Sequence, residues 1–159
     1  MTTPVTDEFR GLMQEFIRRF GLLSADRTPC GKPLASSDAH ALMLLLDAGD
    51  DGVLSSVLAA RLGIDKSTAS RVVTRLTEAG HIEAAPGTDD ARAKPIRLTK
   101  KGVRVATEVQ LASRDRFARL LENVSPRRRR DVVNALQELV SALEKMTSNS
   151  EDQEDEDRA

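Results

Sequence analysis

One segment of the chain carries hydroxyl and guanidinium side chains at helical spacing, a chemistry that suits the edges of base pairs. Within residues 66–79 apolar side chains recur at i, i+3, i+4 and i+7, which predicts one buried helix face: Ala69, Val72, Val73 and Leu76. The opposite side holds hydroxyls and two arginines: Ser67, Thr68, Ser70, Arg71, Thr74 and Arg75. Short polar side chains let a helix enter the major groove of DNA, and arginines reach bases and phosphates. The segment therefore predicts a DNA-reading helix.

Turn and capping residues place this helix in a helix-turn-helix that is followed by a hairpin. Asp65 is the predicted N-cap of the helix, and Gly63 ends a short helix before it. Two short strands are predicted at residues 81–85 and 95–99, and Pro95 leaves their edge exposed because proline cannot donate to a central ladder. The loop between the strands carries charged side chains that can touch a partner: Asp90, Arg92 and Lys94.

Helical periodicity covers most of the remaining chain. Serines at 36–37 and 55–56 are the predicted caps of two further helices, and two long helices are predicted at about 100–121 and 126–146. The first helix, in residues 7–23, has a stripe that includes Phe9, Leu12, Phe16 and Phe20. The last has a wide stripe that includes Val132, Leu136, Leu139 and Leu143. A core helix and a subunit interface both explain the phenylalanine stripe.

The predicted fold class is mainly α with a small β-hairpin wing, in which a winged helix-turn-helix lobe joins a helical dimerisation lobe. The predicted divisions are an N-terminal dimerisation helix and loop at 1–34, a DNA-binding lobe at 35–100 and C-terminal dimerisation helices at 101–146. Residues 147–159 are polar and acidic, which predicts a disordered tail.

Composition excludes several classes of protein. The chain has 159 residues, of which 31% are charged and 40% hydrophobic, as in a soluble globular domain. No apolar run approaches the roughly 20 residues that span a membrane, and residues 1–11 do not resemble a signal peptide. The single cysteine cannot form an internal disulfide, which fits a cytoplasmic protein. The chain has no Tyr or Trp, so it offers few aromatic side chains on which single-stranded bases could stack.

The net charge of −1 conceals a basic body. Residues 151–157 hold six of the 25 acidic side chains, and without residues 151–159 the chain has 23 basic and 19 acidic residues. A mildly basic body with an acidic tail is compatible with nucleic-acid binding.

Three stretches resemble the MarR family of multiple antibiotic resistance regulators: residues 58–71, 76–80 and 98–102. Asp90-Ala-Arg92 matches the D-x-R signature of that family's wing, and the resemblance extends over roughly residues 7–146. It implies a homodimer that is joined through its N- and C-terminal helices and binds a pseudo-palindromic operator. The two reading helices would then lie about one DNA turn apart, ~34 Å.

The resemblance also implies roles for individual residues. The six outward side chains of residues 67–75 correspond to major-groove readers. Arg92 corresponds to an arginine that enters the minor groove, with Asp90 orienting its guanidinium, while Lys66 and Lys94 are placed for phosphates. The stripes of the first and last helices correspond to the dimer interface.

The regulatory input stays open at this point. Cys30 and His40, with Glu108, would form only an incomplete zinc site, since such a site needs about four ligands. Oxidant sensing by Cys30 and a purely structural role are the alternatives, and a small apolar or phenolic effector follows from family analogy alone. No metal or cofactor is predicted.

Catalysis has little support, because the chain has two histidines and no phosphate-binding glycine loop. The expected function is a sequence-specific transcription regulator that binds double-stranded DNA, a repressor released by a ligand or stress signal. The alternatives are a sensor or scaffold whose winged lobe binds protein, and a redox sensor based on Cys30.

Overall fold

The computed structural model describes residues 3–85 and 94–156, with side chains as far as Thr147. These residues form six α-helices and one antiparallel hairpin: α1 (Pro4–Phe20), α2 (Ser36–Ala48), α3 (Ser55–Leu62), α4 (Lys66–Glu78), β1 (Ile82–Ala84), β2 (Ile96–Leu98), α5 (Lys100–Glu122) and α6 (Arg129–Glu156). The predicted fold class, mainly α with a small hairpin, is confirmed. Within the described residues no helix is long and apolar enough to cross a membrane.

The chain divides into two compact units, residues 1–116 and 117–159. The boundary falls within α5, sixteen residues after the predicted boundary at 100/101. Ala106 and Val109 of α5 are fully or almost fully buried, so the first part of that helix belongs to the same unit as the helix-turn-helix.

The core of the first unit lies between the helix-turn-helix and the hairpin. Leu42 and Leu45 of α2 pack with Leu58 of α3, and β1 contributes Ile82. From α4, Ala69, Val72 and Leu76 are buried as their spacing predicted, while Val73 is half-buried. The apolar stripe of α4 therefore faces inward, which leaves its polar side outward.

The hairpin pairs Ile82 with Leu98 and Ala84 with Ile96. Val53 adds a bridge to the same strand, because its backbone N–H and C=O both bond Ile96 at 2.9 Å. Gly52, which precedes it, has φ +70°, and a Cβ there would lie 2.7 Å from the carbonyl oxygen of Ile96. This close approach to the strand requires glycine. The two strands were predicted to within one residue at each end.

The end of α4 is fastened to the start of α5. The Thr99 hydroxyl donates to the Gly80 carbonyl at 2.7 Å and accepts from the Gly102 N–H at 3.0 Å, which confirms Thr99 as the predicted cap of α5. Lys101 Nζ donates to the Ala79 carbonyl at 2.7 Å. The carbonyls of Ala79 and Gly80, which follow the last residue of α4, are thereby satisfied by side chains at the start of α5.

Two predicted caps and the predicted tail are corrected by the structure. Ser36 and Ser55 are the first residues of their helices, and the N-cap positions are Ala35 and Leu54, which supply no side-chain bond. Residues 147–156, predicted to be disordered, continue α6 as a helix. Each residue added to an existing helix gains a hydrogen bond without a new nucleation cost. Residues 157–159 lie outside the described residues.

His81 is buried where α4, β1 and α5 meet. It is 8% exposed, and its Nδ1 has no hydrogen-bond partner within the described part of the chain. Burial lowers the pKa of His81 below 6.5, and the charge of nearby Lys101 lowers it further. In the folded protein this imidazole therefore stays neutral at a pH where the unfolded chain takes up a proton.

The free energy of unfolding is expected to fall as the pH is lowered from about 7.5 through 6.5, because the unfolded state then binds more protons than the folded state. The contribution is fully present above about pH 7.5, is lost progressively as the pH falls through 6.5, and the loss levels off below the lowered pKa of His81. Urea unfolding at a series of pH values measures it. His81→Gln should flatten this part of the profile, whereas His40→Gln, at an exposed position of α2, should leave it intact. A His81→Gln profile as steep as that of the native protein would assign the decline to other groups.

Candidate nucleic-acid interface

The N-terminus of α4 is organised by Asp65. Its carboxylate accepts the Thr68 backbone N–H at 2.9 Å, the Ser67 hydroxyl at 2.7 Å and the Thr68 hydroxyl at 2.6 Å. The predicted N-cap is confirmed. The side-chain hydrogen bonds from Thr68 and then Ser67, with the backbone N–H of Thr68, hold the pKa of Asp65 far below its usual range. The cap is therefore an ionised carboxylate.

The structure places most of the predicted readers on the exposed side of α4. Thr68 is half-buried, and the others are exposed: Lys66, Ser67, Ser70, Arg71, Thr74 and Arg75. Arg71 Nη2 donates to Thr68 Oγ1 at 3.0 Å, and the Thr74 hydroxyl donates to the Ser70 carbonyl at 3.0 Å. Asp65, Thr68 and Arg71 thus form one hydrogen-bonded row along the first turns of the helix.

Arg75 differs from the other predicted readers, because its guanidinium is held by Asp38. Its Nε donates to Asp38 Oδ2 at 3.1 Å and its Nη2 to Asp38 Oδ1, so the pair is bidentate. Asp38 lies buried in the first turn of α2, where the helix dipole favours an anion but burial demands a partner. Arg75 therefore joins α4 to α2 in this structure, and its predicted role as a base reader stays a prediction. The sequence held no signal for this pair, since the partners are 37 residues apart.

The hairpin is only partly described. Lys94 is exposed at its base, whereas Asp90 and Arg92, the predicted wing residues, lie outside the described residues. Across the two strands Arg97 and Glu83 face each other and form an ion pair with Nη2 and Oε1 2.8 Å apart. Sequence reasoning did not single out this pair, although their opposite charges follow from the strand register.

The predicted sensor residues do not form a metal site. Cys30 is half-buried with its Sγ 3.0 Å from Thr28 Oγ1, and His40 is exposed. Glu108 is engaged by Lys32, whose Nζ lies 3.2 Å from its carboxylate. Over residues 3–85 and 94–156 no group of three or more His, Cys, Asp or Glu is placed to share a metal ion.

Most of the predicted interface residues are exposed within their own unit. In α1, Phe9, Leu12 and Phe16 are open to solvent. Phe20 is buried instead, where it stacks on Phe16 at 5.2 Å between ring centroids and lies 5.3 Å from the Arg116 guanidinium. Phe20 is therefore a packing residue within the chain itself, and its predicted place in a subunit interface stays a prediction. In α6, Leu139 is half-buried, and the other three are exposed: Val132, Leu136 and Leu143.

Comparison with known proteins gives a family match over the helix-turn-helix. The model of the MarR family matches residues 33–93, from just before α2 into the hairpin. No curated protein matches the chain significantly.

Several solved structures share the fold. A MarR transcriptional regulator from Methanosarcina mazei Go1 is 25% identical, with 87% of this chain and 99% of that chain covered and a TM-score of 0.68. Staphylococcus aureus MepR in a DNA complex is 20% identical, with 89% and 99% covered and a TM-score of 0.67. Lactococcus lactis ZitR in complex with DNA is 19% identical, with the same coverage and a TM-score of 0.60. At these identities, MepR and ZitR show a similarity of fold alone.

Proposed function

We propose that this chain is a MarR-family transcriptional regulator that binds a double-stranded DNA operator through α4, since the family's model matches residues 33–93 and a MarR transcriptional regulator shares the fold. The exposed side of α4 carries this proposal: Ser67 and Thr68 are ordered by Asp65, and Arg71 lies one turn further on. A helix with this surface fits the major groove, where hydroxyls and guanidinium groups bond base edges and phosphates. The solved structures of MepR and ZitR, which share the fold, are DNA complexes.

The protein is proposed to act as a homodimer on a pseudo-palindromic site. The apolar side chains exposed along α1, and separately those exposed along α6, support this, since large exposed apolar patches mark protein–protein interaction sites. A two-fold dimer presents two copies of α4, and such pairs read half-sites about 34 Å apart. Lys66 and Lys94, both exposed, are assigned to phosphates, and Arg92 with Asp90 to the minor groove.

The proposed role in the cell is that of a cytoplasmic repressor that a small molecule or stress signal releases from DNA. An effector that favours a dimer with a different spacing of its two α4 helices would weaken binding, because the half-sites then no longer fit. The family resemblance supports this part of the proposal. A winged lobe that binds a protein is the competing function, and the experiment below separates the two.

Arg71→Ala is expected to weaken operator binding by about 1–3 kcal/mol, the usual effect of removing an arginine that contacts a base. Fluorescence anisotropy at fixed salt, with promoter-region DNA or a site selected from a random pool, measures the affinity. Arg92→Ala is expected to weaken binding by a similar amount through the minor groove. The control is Arg18→Ala, at an exposed position of α1. It removes the same charge away from α4 and should change the operator affinity little. If Arg71→Ala binds as tightly as Arg18→Ala, α4 does not read DNA.

A further inference from the structure

Three hydroxyls on the outer side of α4 have their protons committed within the helix. Ser67 and Thr68 both donate to the Asp65 carboxylate, and Thr74 donates to the Ser70 carbonyl. A hydroxyl has one proton and two lone pairs, so each of these oxygens can meet a further partner only as an acceptor.

We infer that α4 selects operator bases that present amino groups to Ser67 and Thr68, namely adenine through N6 or cytosine through N4. This inference rests on the proposed function, in which α4 enters the major groove. There, adenine and cytosine each offer an N–H donor, whereas guanine offers N7 and O6 and thymine offers O4, all of them acceptors. A hydroxyl that can only accept forms a hydrogen bond with adenine or cytosine, but it leaves the acceptor atoms of guanine and thymine without a donor.

The direction of these hydrogen bonds is fixed by the charge of Asp65. An ionised carboxylate has no proton, so the hydroxyls must be the donors. The hydrogen bonds from Thr68 and Ser67 keep the pKa of Asp65 well below its usual range, so the carboxylate is charged at the pH of the cell. Hydrogen bonds to a charged acceptor are roughly twice as strong as neutral ones. Turning either proton towards a base would therefore exchange a stronger bond for a weaker one.

The two hydroxyls differ in how much acceptor capacity they retain. Thr68 Oγ1 already accepts Arg71 Nη2 at 3.0 Å, which leaves it one lone pair, whereas Ser67 Oγ, exposed at the start of α4, keeps two. Ser67 can thus accept from an amino group more freely than Thr68. Arg71 brings N–H donors to the same surface, so acceptor bases are left to the arginine and amino bases to the hydroxyls.

The test uses base analogues in an operator selected from a random pool. Purine in place of adenine removes the N6 amino group, and 2-pyrimidinone in place of cytosine removes the N4 amino group. In the native protein, one or more such replacements should weaken binding about 3- to 10-fold, the range for one hydrogen bond. With Ser67→Ala and Thr68→Val, the same replacements should cost nothing further. The control analogue is 7-deazaguanine, which lacks the N7 acceptor, and its effect should not depend on these two substitutions.

Asp65→Asn provides a second readout, because asparagine caps a helix about as well as aspartate but lacks the charge and carries its own N–H donors. The amide nitrogen cannot accept, so the hydroxyl that faces it loses its acceptor; with the Asn oxygen kept on the Thr68 N–H, that hydroxyl is the one of Thr68. Its proton is then free, and selection by this variant should accept guanine or thymine at a position where the native protein requires adenine or cytosine. Thermal unfolding checks that the variant is folded.

The outcomes are distinguishable. If no DNA from the pool is bound in a sequence-specific and salt-dependent manner, the proposed function fails. If DNA is bound but only 7-deazaguanine couples to Ser67 and Thr68, or no analogue couples to them, the proposed function stands and the acceptor assignment is overturned.

Discussion

Replacing Gly102 by alanine is expected to lower the free energy of unfolding by about 2–3 kcal/mol, at the upper end for an overpacked site. A Cβ on Gly102 would lie 1.9 Å from the carbonyl oxygen of His81, a backbone atom that has no rotamer to escape into. The same carbonyl accepts the Thr99 N–H at 2.9 Å, so its displacement would also break a bond at the junction of β2 and α5. Urea unfolding followed by circular dichroism measures the loss.

Gly11→Ala is the matched control, since Gly11 lies within α1 and nothing is within 4 Å of the position of its Cβ. There the helix propensity of alanine should dominate and stabilise the protein by about 0.5–1 kcal/mol. The two substitutions are chemically identical and are expected to have opposite signs. A Gly102→Ala protein as stable as the native one would show that α5 can move away from His81 at little cost.

The close contact at Gly102 gives a physical reason for the spacing of residues 98–102. Thr99 must reach the Gly80 carbonyl, Lys101 the Ala79 carbonyl, and residue 102 must have no side chain for α5 to begin this close to the end of α4. These contacts fix the C-terminal end of α4. The short stretch that carried part of the family resemblance is thus the stretch that positions the candidate reading helix.

Features set by local periodicity could be predicted from the sequence. These features depend on residues that are close together in the sequence: the buried stripe of α4, the caps Asp65 and Thr99, and the two strands. The pairing of Arg75 with Asp38 could not be predicted, because it depends on how α4 packs against α2. The sequence shows that Arg75 lies on the polar side of a helix, where it could contact DNA. Only the structure shows the buried carboxylate beside it.

Periodicity also identifies an apolar stripe without identifying what covers it. The stripe of α1 was predicted as one surface, yet Phe20 is covered by Phe16 and the Arg116 guanidinium while Phe9 and Leu12 stay open. The direction of the hydroxyl protons on α4 was likewise hidden, since the sequence shows Ser67 and Thr68 as polar but not as donors to Asp65. In both cases the missing information is the neighbour of a side chain.

The open part of the α1 stripe supports the second large effect. Four apolar side chains of this helix are exposed in the chain: Val5, Phe9, Leu12 and Phe16. Leu12 is the best probe among them, because it is 61% exposed and takes no part in the Phe16–Phe20 stack. A charge at this position should leave the packing of the chain itself undisturbed, but it would be buried without a partner in a dimer interface.

Leu12→Glu is therefore expected to produce a folded monomer, whose operator affinity falls by about 10²–10⁴-fold because the two half-sites are no longer bound as one unit. Sedimentation equilibrium gives the oligomeric state, and anisotropy with the selected operator gives the affinity. Gln14→Glu adds the same charge on the opposite side of α1, where residue 14 is exposed, and should remain dimeric with native affinity. A Leu12→Glu protein that is still a dimer would remove α1 from the interface. A monomer that binds the full operator as tightly as the native protein would show instead that the affinity does not depend on two joined copies of α4.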